Sequence, residues 1–407
     1  RRSSSNSGPN TSAARFSLAA SGMRRLAAAA LAAAALLRPA SSECNEHIRF
    51  GTFDEANPYS ALAPSQWFDD DEVCWVYYRQ LSGGRAVAHL DSGELDVAML
   101  GSTPYATAIA RGAALTAVAV LHNKGAAQAL VVRCALHGPQ DLRGTTIAAP
   151  RYSTTHYILL AALVEAGLDH VETTELPSAG AAAAADRVTV VTISPTEIEA
   201  AWSAGRIDGG AVWGNALVNL TSADWGGSPP SGCQPEPAHE MITAEMLALW
   251  GYETLNVLAV RNAFLSRNEA LVERLVAGIV RANADYRLAS GRGRFSASDG
   301  DWAAGPDGEY NSLVSAFVAL EAPGYDSIST LAQVADRVAK FEYPTAEQQL
   351  EEQSYLAAQI EKQADFMFSQ KVLASIPNAS GTDSVYAAYF NASFLEAALA
   401  AGAASGF

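Results

Sequence analysis

The sequence is poor in cysteine, in charge and in long apolar runs. Four cysteines, Cys44, Cys74, Cys134 and Cys233, are spread over 407 residues. They form no CxxC pair and no Cys/His ligand spacing, which excludes a zinc module, and no metal or cofactor is expected. An oxidising compartment would allow one or two disulfides, whose pairing the spacing does not set. Only 17% of the residues are charged, with 27 Lys and Arg against 43 Asp and Glu, for a formal net charge of −16. That balance excludes nucleic acid and anionic lipid as partners, because both are bound through clustered cations that release counterions. The seven histidines stand singly, and no GxSxG elbow is present.

One short apolar run is present near the start. "MRRLAAAALAAAALLRPASSE" begins at Met23 with two arginines, continues through twelve apolar residues from Leu26 to Leu37, and ends in small residues at Ala40 and Ser42. This is the three-part layout of a secretory signal peptide, too short to remain as a membrane anchor. Residues 1–42 are therefore expected to be a targeting extension and signal peptide, cleaved after about Ser42, which directs the protein to the periplasm or outside the cell. No later run reaches the ~20 apolar residues that a membrane span needs.

From residue 48 onward, β-rich runs alternate with helical ones, which predicts an α/β fold with mostly parallel sheets. "IRFGTF" reads as a first strand, and "GGRAVAHLDSGELDVAMLG" as a helix stopped at Ser92-Gly93 followed by a strand. "STPYATAIARG" is a helix with Pro104 in its first turn and Gly112 at its end. "ALTAVAVLHN" and "AQALVVR" add two strands. The strand, polar turn, helix unit then recurs as "DLRGTTIAAPRYSTTHYILLAALVEAGL" and as "VTVVTISPTEIEAAWSAGRIDGGAVW". Past the strand "LNVLAVR" the chain turns mainly helical. The stretches "SAGAAAAAD" and "SADWGGSPPSGCQPEPAHE" read as loops.

Three strands run into Ser/Thr-rich turns that open helices: Gly101–Pro104, Ser153–His156 and Ser194–Glu197. In an open α/β sheet such turns lie at the C-terminal strand ends, where ligands bind. A helix start leaves backbone N–H groups unpaired and carries about half a positive charge. Converging starts therefore make an anion cradle, to which Ser and Thr hydroxyls add donors. Ordinary N-capping explains any one of these turns equally well, and Ser194-Pro195-Thr196-Glu197 has the full form of a capping box.

Ser153 and His156 could also be a nucleophile and its base. That chemistry requires an orienting acid behind the imidazole and donors for an oxyanion, and no acid is visibly placed there. His156 is instead expected to be a neutral ring that donates to ligand or backbone. Trp213, at a strand end, and Trp67, Trp250 and Tyr252 could wall a pocket or simply pack. Glu253 has no local capping role, so contact with a ligand amine is open to it.

"DSGELDVAMLGSTPYATAIARG", "PQDLRGTTIAAPRYSTTHYILLAAL", "EIEAAWSAGRIDGGAVW" and "EYPTAEQQ" together resemble the taurine-binding proteins of ABC importers. These belong to the broader aliphatic-sulfonate and thiamine-pyrimidine binding superfamily. The likeness runs in order from about Ile48 to Leu395, and STTHY is its most specific part. The resemblance implies a two-lobed periplasmic-binding fold of type II, with a ligand cleft between lobes joined by two crossings. On it, residues 43–133 and 257–407 form one lobe and residues 134–256 the other.

By the same resemblance, Ser102, Thr103, Ser153, Thr154, Thr155 and His156 would line the cleft and hold a sulfonate, with Trp213 as a wall. Asn256, in "ETLNV", stands where the family has an aspartate for the ligand's ammonium group, and Glu253 could restore that charge. The implied partners are a small sulfonate and the membrane permease subunits of an ABC transporter, with the binding protein itself a monomer and not an enzyme. An alternative on the same fold is a thiamine-pyrimidine synthase, which consumes its own histidine with iron and pyridoxal phosphate. Its cysteine-rich motif is absent here. A sensor or scavenger that works without a permease is a further alternative.

Overall fold

The computed structural model describes residues 46–53, 73–80, 82–178, 186–221, 238–291, 340–351, 353–376 and 389–405. The leader, Trp67 and most of the two loops named above lie outside the described residues. In chain order the strands are β1 (Glu46–Phe53), β2 (Val73–Gln80), β3 (Val97–Gly101), β4 (Leu115–Asn123), β5 (Gln128–Arg133), β6 (Thr146–Ala149), β7 (His170–Thr173), β8 (Val188–Thr192), β9 (Gly209–Trp213), β10 (Ala238–Thr243) and β11 (Leu255–Arg261). The helices are α1 (Gly83–Ser92), α2 (Ser102–Ala110), α3 (Thr154–Glu165), α4 (Pro195–Ser203), α5 (Gly214–Thr221), α6 (Ala244–Ala248), α7 (Asn262–Leu265), α8 (Glu269–Gly291), α9 (Ala346–Glu351), α10 (Gln353–Ser369) and α11 (Ser393–Ser405).

Two sheets result, in the orders β2-β1-β3-β11-β4 and β10-β5-β9-β6-β8-β7. Both are mostly parallel, with one strand in each running against the rest: β11 in the first and β5 in the second. These two strands are the ones the chain enters immediately after passing between sheets, through Lys124–Ala127 in one direction and Tyr252–Thr254 in the other. The expected lobe boundaries shift accordingly. Gln128–Arg133, assigned from sequence to the first lobe, pairs with β9 and β10 in the second sheet. Leu255 and Asn256, assigned to the second lobe, pair with β4 in the first sheet. Both residue sets read as plain apolar strands, and only hydrogen-bonded pairing tells which sheet takes them.

Three strands have no counterpart in the sequence reading. β10 includes the "AHE" that looked like the end of a loop, and it, β2 and β7 are all edge strands. An edge strand need not be apolar on both faces, so it lacks the hydrophobic run that marks a central one. The central strands do carry that signal, because both of their faces are covered. Ala98 and Leu100 of β3 join a core that runs through both sheets to α3 and α10. Val97 and Met99 face the other way, against α8 and α11.

Local punctuation follows the chemistry of the turns. Gly93 ends α1 at φ 76°, a left-handed conformation that costs glycine little. Ser194 and Glu197 form the reciprocal capping box at α4, with Ser194 N donating to Glu197 Oε2 at 2.8 Å. Asp96, buried at the foot of β3, receives Arg49 Nε at 2.8 Å and Arg49 Nη2 at 2.6 Å. It also receives Arg261 Nη2 at 2.9 Å, so that one carboxylate ties β1, β3 and β11 together. Cys134, just past β5, is disulfide-bonded. Among the described residues no helix is long and apolar enough to cross a membrane.

Candidate functional site

Two of the three helix starts meet where the sheets face each other. Gly101 ends β3 and caps α2 without a side chain, while Ser153 caps α3 by accepting the His156 N–H. A Cβ placed on Gly101 would stand 2.9 Å from Thr154 Cγ2, so the approach of α2 to α3 depends on glycine here. Ser102, Thr103, Ser153, Thr154 and Thr155 are all no more than 5% exposed. The third turn does not join them: Thr196 and Glu197 are exposed, and their hydroxyl and carboxylate serve the local cap. The capping box is self-sufficient, which is why its Ser/Thr signature says nothing about a ligand.

The buried hydroxyls are held in place by both halves of the molecule. Ser102 Oγ accepts the Leu255 N–H at 3.2 Å. Thr103 Oγ1 donates to Gln363 Oε1 at 2.7 Å, and Gln363 Nε2 donates to the Glu253 carbonyl at 2.9 Å. Thr154 Oγ1 accepts Gln128 Nε2 at 2.6 Å. Ser102 and Thr154, one on each side, thus each use a lone pair on the protein and keep an O–H to donate. The first N–H groups of α2 and α3 have no intrahelical acceptor and supply further donors.

His156 departs from expectation. Its Nδ1 accepts the Tyr152 N–H at 3.4 Å, and its Nε2 lies 3.2 Å from Glu172 Oε1 on β7. Burial pushes the Glu172 carboxyl up, but the adjacent His156 ring and Arg151 outweigh it and hold the group below its ordinary range. The ring is thus a pin between the start of α3 and an edge strand, and both nitrogens are turned to protein groups. It gives no base to Ser153, whose Oγ lies 2.8 Å from Thr155 Oγ1 and takes the His156 backbone N–H. The nucleophile reading falls for that reason.

Asn256 lies wholly buried in the same region, its Nδ2 2.8 Å from His122 Nε2. Its Oδ1 has no hydrogen-bond partner among the described residues and is 3.6 Å from where a Gly101 Cβ would stand. Trp213 and Glu253 sit at the margin, both half-buried. Trp213 pairs in register with Gln128, and Glu253 meets Gln363 through its backbone carbonyl.

Sequence reasoning missed four members of the cluster: His122, Lys124, Gln128 and Gln363. Lys124, 3% exposed, is a buried cation on one crossing. Burial, reinforced by Lys124, drives the His122 imidazole well below its ordinary basicity, so it stands neutral. The signal for three of them was present in "HNKGAAQ", a polar break between two apolar strands. Gln363 had none, since a glutamine on an amphipathic helix looks like part of its solvent face. Beyond the cluster, Tyr157 packs edge-on against Phe366 and Tyr252, with ring centroids 5.2 and 6.0 Å away. These three rings join α3 to α10 and the second crossing.

A cluster of buried hydroxyls, amides, helix starts and one lysine, with no carboxylate beyond Asp96 among the fully buried side chains of the described residues, suits a small anion held by many hydrogen bonds. Comparisons with known proteins agree with that chemistry. Residues 47–289 match the NMT1-like family. The taurine-binding periplasmic protein of Escherichia coli (strain K12) is 28% identical over 257 residues, 63% of this chain and 71% of the relative. A putative aliphatic sulfonates-binding protein of the same organism is 25% identical over 196 residues, covering 46% of this chain and 56% of the relative. The alkanesulfonate-binding protein of Xanthomonas axonopodis pv. citri, solved with MOPS bound, superposes with a TM-score of 0.59 at 16% identity. That likeness covers 85% of this chain and 98% of that one, and it identifies the periplasmic-binding fold.

Proposed function

We propose that this chain, which belongs to the NMT1-like family, is the solute-binding component of an ABC importer and clamps taurine or a related small sulfonate between its lobes. The observation that carries this is the burial of two helix starts, one from each lobe, against each other, with the Thr154 methyl against Gly101 and the Ser102 and Thr154 hydroxyls buried beside them. A tetrahedral anion accepts hydrogen bonds from many directions. Fixed N–H and O–H dipoles can satisfy it without a paired side-chain charge, and closing the lobes removes competing water. Lys124 adds one positive charge to the region. The names of the curated relatives support the ligand class, the importer and a periplasmic location. Cleavage of the leader after Ser42 and a monomeric state belong to the same proposal.

Isothermal titration of the protein with taurine, alkanesulfonates, sulfate and nitrate tests it. Binding of a sulfonate with dissociation constants well below those for sulfate and nitrate is expected, and absence of heat with every sulfonate sinks the assignment. An absorbance spectrum after incubation with pyridoxal phosphate separates the synthase alternative. A stable aldimine-type band would favour that alternative over transport.

A further inference from the structure

Two exposed arginines converge on one tyrosine beside the start of α3. Arg111 follows α2 in the first lobe, while Arg151 and Tyr152 lie in the turn between β6 and α3 in the second. The Arg111 guanidinium carbon stands 4.4 Å from the centre of the Tyr152 ring, and Arg111 Nη2 donates to the Tyr152 hydroxyl at 2.8 Å. The Arg151 guanidinium carbon stands 4.9 Å from the same ring. The two contacts differ in kind. Arg151 is the chain neighbour of Tyr152 and lies in the field of Glu172 on β7, whereas Arg111 reaches the ring from the other lobe, 41 residues away.

Tyr152 has a φ of 61°, in the left-handed region that a bulky side chain rarely adopts. Such a conformation persists only where its surroundings hold it, and it draws attention to the residue so held. The Tyr152 N–H donates to His156 Nδ1 at 3.4 Å, and the next N–H, of Ser153, donates to the Pro150 carbonyl at 3.1 Å. The ring and the cap of α3 are therefore parts of one turn, and whatever grips the ring also steadies the helix start. A guanidinium is attracted to an aromatic face only within about 6 Å. Parting the lobes by a few ångströms ends both contacts of Arg111 and leaves Arg151 on the ring.

We propose that Arg111 is a positioning residue of the closed form, which latches the first lobe to the Tyr152 ring of the second and so slows the escape of a bound anion. This rests on the reading of the two lobes as a clamp and adds what holds the clamp shut. A contact made only in the closed form acts on dissociation more than on association.

Stopped-flow tryptophan fluorescence of the full chain with taurine and with propane-1-sulfonate measures the two rates separately. Arg111→Ala and Arg151→Ala remove the same charge from the same ring, so their difference isolates the bridge between the lobes. Dissociation from Arg111→Ala is expected to be about three- to tenfold faster than from Arg151→Ala, as loss of an exposed cation–π contact and one hydrogen bond implies, with association equal to within about twofold. In a Tyr152→Leu background, Arg111→Ala should add less than about twofold. Dissociation rates of the two arginine variants within about twofold of each other overturn the proposal, and so does an undiminished effect of Arg111→Ala without the tyrosine ring. The comparison of the two arginine variants decides even where Tyr152→Leu fails to fold. If neither sulfonate binds the unaltered chain, the clamp reading falls, and small-angle scattering of the ligand-free proteins decides the latch by itself. A larger radius of gyration for Arg111→Ala than for Arg151→Ala upholds it, and equal radii overturn it.

Discussion

Replacing Gly101 by alanine probes the contact on which the clamp depends. The added Cβ would lie 2.9 Å from Thr154 Cγ2, 3.3 Å from Pro104 Cδ and 3.6 Å from Asn256 Oδ1. Only the first of these neighbours belongs to the other lobe, so the severe clash exists only when the lobes are closed. Thr154 cannot swing aside freely, because its Oγ1 receives Gln128 Nε2 at 2.6 Å. Rotating it would leave a buried amide unpaired, at about 1–3 kcal/mol. Forcing the methyl in without rotation costs a similar ~1–3 kcal/mol of overpacking. A ligand that requires closure loses that same free energy, so its dissociation constant should rise about five- to hundredfold. Titration calorimetry reads the loss, and small-angle scattering of the liganded protein should show a larger radius of gyration for the variant. Gly84→Ala is the control, because nothing lies within 4 Å of its added Cβ. It should leave affinity alone and change stability by less than about 1 kcal/mol, in the favourable direction. A Gly101→Ala protein that binds its ligand within twofold of the unaltered chain would refute the closure argument.

Other perturbations should be equally readable. Asp96→Asn, which strips the charge from the Arg49 and Arg261 pairs, should cost about 3 kcal/mol in denaturant unfolding, the low end for a buried pair because Arg49 is partly exposed. Burial raises the Asp96 carboxyl, but the two arginines outweigh it and hold it below its ordinary value. Its stabilisation is therefore complete above the unfolded carboxylate range near pH 4 and drains away as pH falls further. Melting curves between pH 6 and pH 2.5 should show the unaltered chain losing more stability than Asp96→Asn. Gln363→Ala unpairs the Thr103 hydroxyl and the Glu253 carbonyl. At about 1–3 kcal/mol for each group left unmet, it should lower both melting temperature and ligand affinity, whereas a surface glutamine would move neither. Reduction of the Cys134 disulfide should cost ~2–5 kcal/mol, seen as a lower midpoint in urea with dithiothreitol present.

Much of the fold was legible because its signals are local. Strands covered on both faces must be apolar throughout, so "LNVLAVR" matched the central β11 closely, and "ALTAVAVLHN" matched β4, which lies at the sheet edge but is covered on both faces. Helix ends carry their own chemistry, as Gly93 and Ser194–Glu197 show. The cradle was half legible for the same reason: a Ser/Thr-rich helix start is visible at 102 and at 153, but the same letters at 194 mark only a cap. His156 shows the limit from the other side. A histidine beside three hydroxyls invites a role in the cleft, yet its ring turns to Glu172, a residue of a short strand with no strong pattern of its own.

The sequence alone determined the alternation of strands and helices, the two helix starts rich in hydroxyls, and the scarcity of basic side chains that leaves backbone dipoles to meet an anion. Those are properties of neighbours along the chain. Tertiary structure decided which sheet β5 and β11 enter, that Gly101 approaches Thr154, and that His122 meets Asn256, Gln128 meets Thr154 and Gln363 meets Thr103. Each of those facts depends on residues that are distant in the chain and adjacent in space. Hydrogen bonds between such residues are fixed only when both crossings have brought the lobes together.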